Sequence, residues 1–408
     1  MDPRRLALTG GVALLLVAAP GCGGDGSRGA PSTVVRTTTP VPVATSTTPP
    51  ASTTIPAVTG GSLQQFTPAT ASTWWAVVQG DAVGSVVVRT LDSGQHWQDV
   101  TPVAGSIASG TFLNADIGWV VGYVTEGASD PLPAEPLHRT LDGGRAWQQL
   151  ATVPNGCALD FVDPLHGWCD VIGAAAGSES VSLTRTVDGG STWSLVSRTG
   201  VDPEGSTPGA LPFGCDKAIA FTSPAVGWAA GYCSGGPAHL YTTLDSGRTW
   251  ELLPPVPVPT GAPVPEGEGL TTPVVAGAEV ALAVEIGGRP GATAIDVSPD
   301  GGMTWRTQWV PGAPQSWSVD LVDPTHWRLT DGTVLLATDD AGAHWRRWTP
   351  SIALQGTLDT DSTLDFLSPL VGWAVPSVNG GTLWWTVDGG SSWTAVRIVA
   401  GPYQLPAP

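Results

Sequence analysis

Leu183-Thr184-Arg185-Thr186-Val187-Asp188-Gly189-Gly190-Ser191-Thr192-Trp193 reads as the end of one β-strand, a tight turn and the start of the next. Its skeleton, Thr/Ser-x-Asp-x-Gly-x-x-Trp, occurs seven times, as Asp92/Trp97, Asp142/Trp147, Asp188/Trp193, Asp245/Trp250, Asp300/Trp305, Asp340/Trp345 and Asp388/Trp393. Successive aspartates lie 50, 46, 57, 55, 40 and 48 residues apart. An apolar residue stands five positions before each (Val87, Leu137, Leu183, Leu240, Ile295, Leu335, Leu383). The Asp carboxylate can accept backbone N–H groups of its own turn, and the Gly supplies a positive φ. The Trp is expected to start the next strand and to cover the turn with its ring. These residues are expected to staple a fold, not to catalyse.

Outward from each turn lies a second element, an aromatic residue, a turn with Pro or Asp, then Gly-Trp. It appears as Phe112 to Trp119, Phe161 to Trp168, Phe221 to Trp228 and Phe366 to Trp373. Weaker copies are Phe66 to Trp75 and Leu321 to Trp327, and the repeat near Val274 lacks it. Each unit therefore has four strands: A (aromatic), B (Gly-Trp), C (entering the Asp turn) and D (leaving from its Trp). Four-stranded units repeated seven times predict an all-β fold, a single seven-bladed β-propeller with antiparallel blades and the Asp turn between C and D. The first unit begins near Ser62 and the last strand D ends near Val399, so closing the ring calls for no exchanged strand, with a swap using the end of the stalk as the alternative.

The combined signature, Phe-x-x-x-x-x-Gly-Trp followed by Arg-Thr-x-Asp-Gly-Gly-x-x-Trp, resembles the photosystem II stability/assembly factor-like family of Asp-box (BNR repeat) propellers. The resemblance covers roughly residues 62 to 400 and implies a scaffold that helps assemble a membrane complex. The turn motif by itself is shared with sialidases, sortilins and xyloglucanases. A sialidase would need an Arg-Ile-Pro type motif and two further carboxylate-binding arginines. The first blade has Arg89 alone, beside the turn.

The N-terminal stretch bears on location. Arg4 and Arg5 precede an apolar run from Leu6 to Ala19 that is too short to span a bilayer. It leads into Ala19-Pro20-Gly21-Cys22, which resembles a bacterial lipobox with a departure at Pro20. Residues 1–21 are read as a lipoprotein signal peptide, and Cys22 as the lipidated residue, with ordinary cleavage and secretion as the rival. Residues 22–61 form a Ser/Thr/Pro-rich stalk unable to bury a core. The propeller takes 62–400 and a tail 401–408. The expected place is outside the cytoplasm, anchored to the cell membrane by lipid.

Cys157, Cys169, Cys215 and Cys233 remain, an even number suited to an oxidising compartment. Their positions on neighbouring strands favour the pairs 157–169 and 215–233. A formal charge of −18 with Lys217 as the single lysine opposes nucleic-acid binding. No metal or cofactor motif is found. Asp359, Asp361 and Asp365 have the oxygen density of a calcium loop without its remaining ligands.

Function is expected to be non-enzymatic: a monomeric scaffold that binds another extracytoplasmic or membrane protein. The alternative is a carbohydrate-directed protein, either a cell-wall glycan binder or a divergent glycoside hydrolase. Arg89, Arg139 and Arg185, three before the Asp in successive blades, are candidate anion-binding residues, against a structural pairing with neighbouring carbonyls. The long segments 124–136, 173–181, 197–217 and 253–272 are expected on the face opposite the Asp turns, as the binding face of blades 2–5.

Overall fold

The computed structural model describes residues 62–80, 84–102, 107–122, 134–173, 180–200, 203–214, 216–232, 238–257, 268–270, 273–286, 292–310, 312, 318–352, 363–375, 382–398 and 400–401. Cys22, Cys215, Cys233, the leader and the stalk lie outside them. Among the described residues the strands form seven antiparallel sheets in chain order, the blades of a propeller. Among these residues the one 3₁₀ turn is Pro203–Gly205, and no described helix is long and apolar enough to cross a membrane.

Blade 3 shows the pattern. Its strands A (Ala158–Phe161), B (Gly167–Ile172), C (Val181–Thr186) and D (Ser194–Arg198) pair in that order. Trp168 lies opposite Asp160 on A and Arg185 on C. Cross-strand partners share a face, so all three side chains belong to one side of the sheet. That side meets blade 4, because the Trp168 ring stacks on Phe221, with centroids 3.6 Å apart and an interplanar angle of 2°. The same B-to-next-A stack joins Trp119 to Phe161 at 3.6 Å and Trp75 to Phe112 at 4.5 Å.

The Gly of the Gly-Trp pair now has a reason. A Cβ on Gly118, Gly167, Gly227 or Gly372 would overlap the Phe ring of its own strand A. Among the described residues the largest fully buried side chains include the B-strand tryptophans Trp74, Trp75, Trp119, Trp168, Trp327 and Trp373.

The turn tryptophans depart from expectation in two ways. Only Trp97 starts its strand D, Trp97–Asp99. Trp147, Trp193, Trp250, Trp305, Trp345 and Trp393 each stand one residue before it, the strands beginning at Gln148, Ser194, Glu251, Arg306, Arg346 and Thr394. These six are therefore the last residues of the turn and make no ladder pair. Their burial is also uneven. Trp97 and Trp393 are buried, whereas Trp147, Trp193, Trp250, Trp305 and Trp345 are half-buried. The physical reason is position: the turn lies at the rim, so one side of the ring covers the inter-blade core and the other meets solvent. Trp147 thus rests on the core between blades 1 and 2, Trp305 on that between blades 4 and 5, and Trp345 on that between blades 5 and 6.

Two blades differ from the sequence reading. In blade 5 the missing aromatic element is replaced by two short strands, Glu268–Leu270 and Val274–Ala276, both paired with Glu279–Ile286. Gly277, at φ 66°, makes the two-residue turn between Ala276 and Glu279. In blade 1, Trp74 takes the register position held by Gly118 in blade 2, opposite Thr90 as Gly118 is opposite Thr140. Its ring packs across the seam with blade 7, 5.3 Å from Trp373 and 5.6 Å from Trp385.

Blades 1 and 7 each hold four strands of their own repeat, so no strand is exchanged to close the ring, but one is added. After strand D of blade 7 (Thr394–Val396), Ala400–Gly401 pairs in parallel with Trp97–Asp99, the outer strand of blade 1. The end of the repeat thus adds a fifth strand to the first sheet. Within blade 3, Cys157 and Cys169 are disulfide-bonded, with Cα atoms 5.4 Å apart.

Candidate functional site

The seven Asp turns are built alike. In blade 3 the Thr186 hydroxyl donates to Asp188 Oδ1 at 2.8 Å and accepts the Gly190 N–H at 2.9 Å. Asp188 Oδ1 also accepts the Thr192 N–H at 2.9 Å. The corresponding three bonds recur in the other six blades. The staple is therefore a hydroxyl–carboxylate pair, with the Thr or Ser two positions upstream as necessary as the Asp. The turn tryptophan adds a less uniform tie: Trp250 Nε1 donates to Gly247 O of its own turn at 3.1 Å, but Trp147 Nε1 donates to Val100 O of the preceding blade at 2.6 Å. Trp345 contributes by ring contact, its centroid 6.0 Å from that of Trp327. The N–H one residue after each Asp donates to the A–B turn of the same blade, as Gly189 does to Leu165 and Gly143 to Asp116. Both sets of turns consequently lie on one face.

Six of those carboxylates are held below the usual carboxylate range by their own turns. The Thr192 hydroxyl holds Asp188 below the usual carboxylate range, Thr304 does the same for Asp300, and the His344 N–H and ring bring Asp340 down to about 2. At Asp92, Asp245 and Asp388 burial pushes upward, but the hydrogen bonds of the turn outweigh it.

Arg89, Arg139 and Arg185 join one blade to the next. Arg89 is buried over the Trp75 ring; its Nη1 donates to Gly143 O of blade 2 at 2.9 Å, and its Nη2 lies 3.7 Å from Asp116. Arg139 donates to Gly189 O at 3.3 Å and Arg185 to Pro224 O at 3.2 Å. These are the neighbouring-carbonyl contacts of the structural alternative.

A second group of carboxyls went unnoticed in the sequence. Asp160, Asp320 and Asp365 each precede the last residue of strand A (in blade 6, Ser318–Leu321; in blade 7, Thr363–Phe366). Strand A has a free edge, and the preceding blade caps its N–H groups. Asp160 Oδ2 accepts Phe221 N–H at 2.7 Å, and Asp320 Oδ2 accepts Phe366 N–H at 2.6 Å. In blade 1, Gln65 Oε1 accepts Gly110 N–H at 2.9 Å in the same manner. These aspartates keep some solvent contact yet are walled in by protein, and the enclosure governs their titration. Burial pushes Asp160 up to about 6 and Asp365 up to about 7. Burial and then Asp160 raise Asp170, on strand B, to about 7. Asp320 is raised by burial and by Asp365. Asp365 is thus a strand residue, while Asp359 and Asp361 lie outside the described residues.

The turn face carries one more feature. The residue between the Thr and the Asp is aliphatic and exposed in five blades: Leu91, Leu141, Val187, Leu244 and Val387, from 45% at Leu91 to 72% at Leu244. Leu165 and Leu370 of the A–B turns add to it, also exposed. Blade 7 adjoins blade 1, so the five positions form an arc over consecutive blades 7, 1, 2, 3 and 4. Isolated exposed leucines need no explanation, but the same register repeated along an arc does.

No protein-family model matches the chain, and no curated protein is similar to it in sequence. Among solved structures, "YCF48 bound to D1 peptide" is similar over 82% of this chain and 95% of that one, at 20% identity and a TM-score of 0.46. The GH74 xyloglucanase from Xanthomonas campestris is similar over 82% of this chain and 54% of its own, at 17% identity and a TM-score of 0.50. A prolyl endopeptidase aligns over 84% of this chain and 50% of its own, at 10% identity and a TM-score of 0.56. The likenesses to the xyloglucanase and the prolyl endopeptidase show the fold alone, and a propeller hosts many functions.

The expected loop face is only partly described. The segment after strand D of blade 3 turns back along the outer edge of blade 4, where Gly209 O accepts the Trp250 N–H at 2.9 Å and Leu211 is buried. Leu253 and Val256 likewise enter the core between blades 4 and 5. Both segments therefore begin as packing, not as free loops.

Proposed function

We propose that this chain is a non-enzymatic, protein-binding propeller, lipid-anchored through Cys22 at the outer face of the cell membrane, and that its partner docks on the turn face. The observation that carries this reading is the exposed aliphatic arc from Val387 to Leu244. It sits on a surface held rigid by seven hydrogen-bonded turns. A preorganised apolar surface loses little conformational entropy on binding. This moves the docking face from the loop side expected from the sequence to the opposite side.

The test is proximity crosslinking in native membranes with a variant carrying Leu91→Ser, Leu141→Ser, Val187→Ser and Leu244→Ser. These side chains are exposed, so the fold should persist while partner crosslinks fall. A variant that retains all wild-type crosslinks with an unchanged melting temperature removes the turn face from consideration.

A further inference from the structure

We infer that the turn face takes a cationic amphipathic protein segment, whose aliphatic side chains meet the arc while its Lys or Arg residues meet the turn carboxylates. The inference rests on the turn face being the docking face and adds the chemistry of the occupant.

The argument is one of charge complementarity. Each arc residue is followed directly by the Asp of its turn, so aliphatic and carboxylate groups alternate around the face: Leu91–Asp92, Leu141–Asp142, Val187–Asp188, Leu244–Asp245 and Val387–Asp388. Four of these five aspartates are held ionised by their own turns, as are Asp163 and Asp323 of the A–B turns. Among the described residues of the Asp turns the cations are Arg145 and Arg248, both exposed. The arc stops at blade 6, where Asp339 replaces the aliphatic residue and is matched internally, 2.9 Å from Arg328 and 2.5 Å from Arg346. Charge is thus neutralised within the chain at blade 6; at blade 5, the other end of the arc, Pro299 precedes Asp300, and along the arc itself five turn aspartates stand beside two turn arginines. An anionic lipid surface or acidic peptide would meet repulsion across the arc, whereas a cationic segment satisfies both halves of the pattern.

The experiment measures binding of a fluorescent Lys/Leu amphipathic peptide to the full chain, beside its Glu/Leu counterpart and phosphatidylglycerol vesicles. The Lys/Leu peptide should bind. Its affinity should fall by about tenfold or more in the four-serine variant. Moving from about 50 to about 500 mM salt should also weaken it, since screening shortens with ionic strength. Arg145→Glu with Arg248→Glu should tighten it, a gain that misfolding cannot mimic. Equal binding of the Glu/Leu peptide, preference for the vesicles, or unchanged affinity in the double Glu variant overturns the inference. If the Lys/Leu peptide fails to bind while the four-serine variant loses its crosslinks in native membranes, the assigned chemistry is wrong and the docking face stands. Crosslinks that survive in that variant defeat both.

Discussion

Arg328 lies directly across the ladder from Ala337 in blade 6, and its guanidinium reaches the Pro369 carbonyl of blade 7 at 2.8 Å. In blades 1–3 the arginine that reaches the next blade stands on strand C, three before the Asp. In blade 6 that place is Ala337, and the cation comes from strand B. Either strand can serve, because the two positions face the same seam.

Arg328→Ala should destabilise the propeller by about 3 kcal/mol, since it leaves the carbonyls of Trp327, Thr338 and Pro369 and the carboxylate of Asp339 without their cation. Adding Ala337→Arg should restore part of the loss. Urea denaturation of the single and double variants measures both. No rescue would show that the two positions are not interchangeable.

The raised carboxyls give stability a definite pH slope. Asp160, Asp170 and Asp365 have native pKa values of about 6, about 7 and about 7, above the ordinary carboxylate value. The folded state holds their protons more tightly, so their stabilisation is complete below about pH 4 and is lost as pH rises through 6 to 7. The depressed turn carboxylates act oppositely and lose their contribution as pH falls toward that of Asp340, about 2. Asp170→Asn, which keeps a neutral side chain of the same shape, should flatten the upper limb and gain about 1–2 kcal/mol at pH 8 over wild type. Calorimetry across pH 4–8 provides the check.

Tryptophan truncation should separate the two repeated elements. Trp168 is fully buried against Phe221, so Trp168→Ala should cost about 3–5 kcal/mol. Trp193 is half-buried, like Trp147, Trp305 and Trp345, and Trp193→Ala should cost distinctly less. Equal losses would mean that the turn tryptophan carries more packing than its exposure indicates.

Non-reducing peptide mapping should recover the 157–169 bridge and, for an exported chain, a second one joining Cys215 to Cys233. Free thiols at the latter pair would weaken the extracytoplasmic proposal without touching the fold.

Cys22→Ala should move the protein from the membrane fraction into the medium. Identical partitioning of variant and wild type would exclude a lipid anchor at Cys22.

The architecture was readable because its determinants are local and repeated. A Thr-x-Asp-x-Gly turn needs hydroxyl, carboxylate and positive-φ glycine at fixed spacing, and no distant contact decides that. How deep each turn tryptophan sits was not readable, because Trp147, Trp305 and Trp345 share the motif of Trp97 and Trp393 and differ only in what the adjoining blade offers. Asp160, Asp320 and Asp365 were less visible still. The significance of Asp160 and Asp320 comes from the edge N–H of the following blade, 61 and 46 residues away, and that of Asp365 from its burial. A faint signal existed, an Asp before the last residue of strand A in three blades. The aliphatic arc was also in plain view at Leu91, Leu141, Val187, Leu244 and Val387, but burial could not be told from exposure until both turns were tied to one face. The course of 203–214 along blade 4 depends on tertiary contacts at Gly209 and Leu211 that carry no periodic pattern.

The parallel pairing of Ala400–Gly401 with Trp97–Asp99 sets a timetable. Six of the seven seams join blades that follow one another along the chain, so each can assemble without waiting for the rest of the ring. The seventh must wait until some three hundred residues have been made, and closing so large a loop carries a substantial entropic penalty. Its aromatic cluster of Trp74, Trp373, Trp385 and Phe66 would meanwhile be exposed and adhesive. The interval before closure is when this chain is most open to aggregation and to chaperone capture, and its length is governed by how soon the two ends of the ring meet, not by the stability of any one blade.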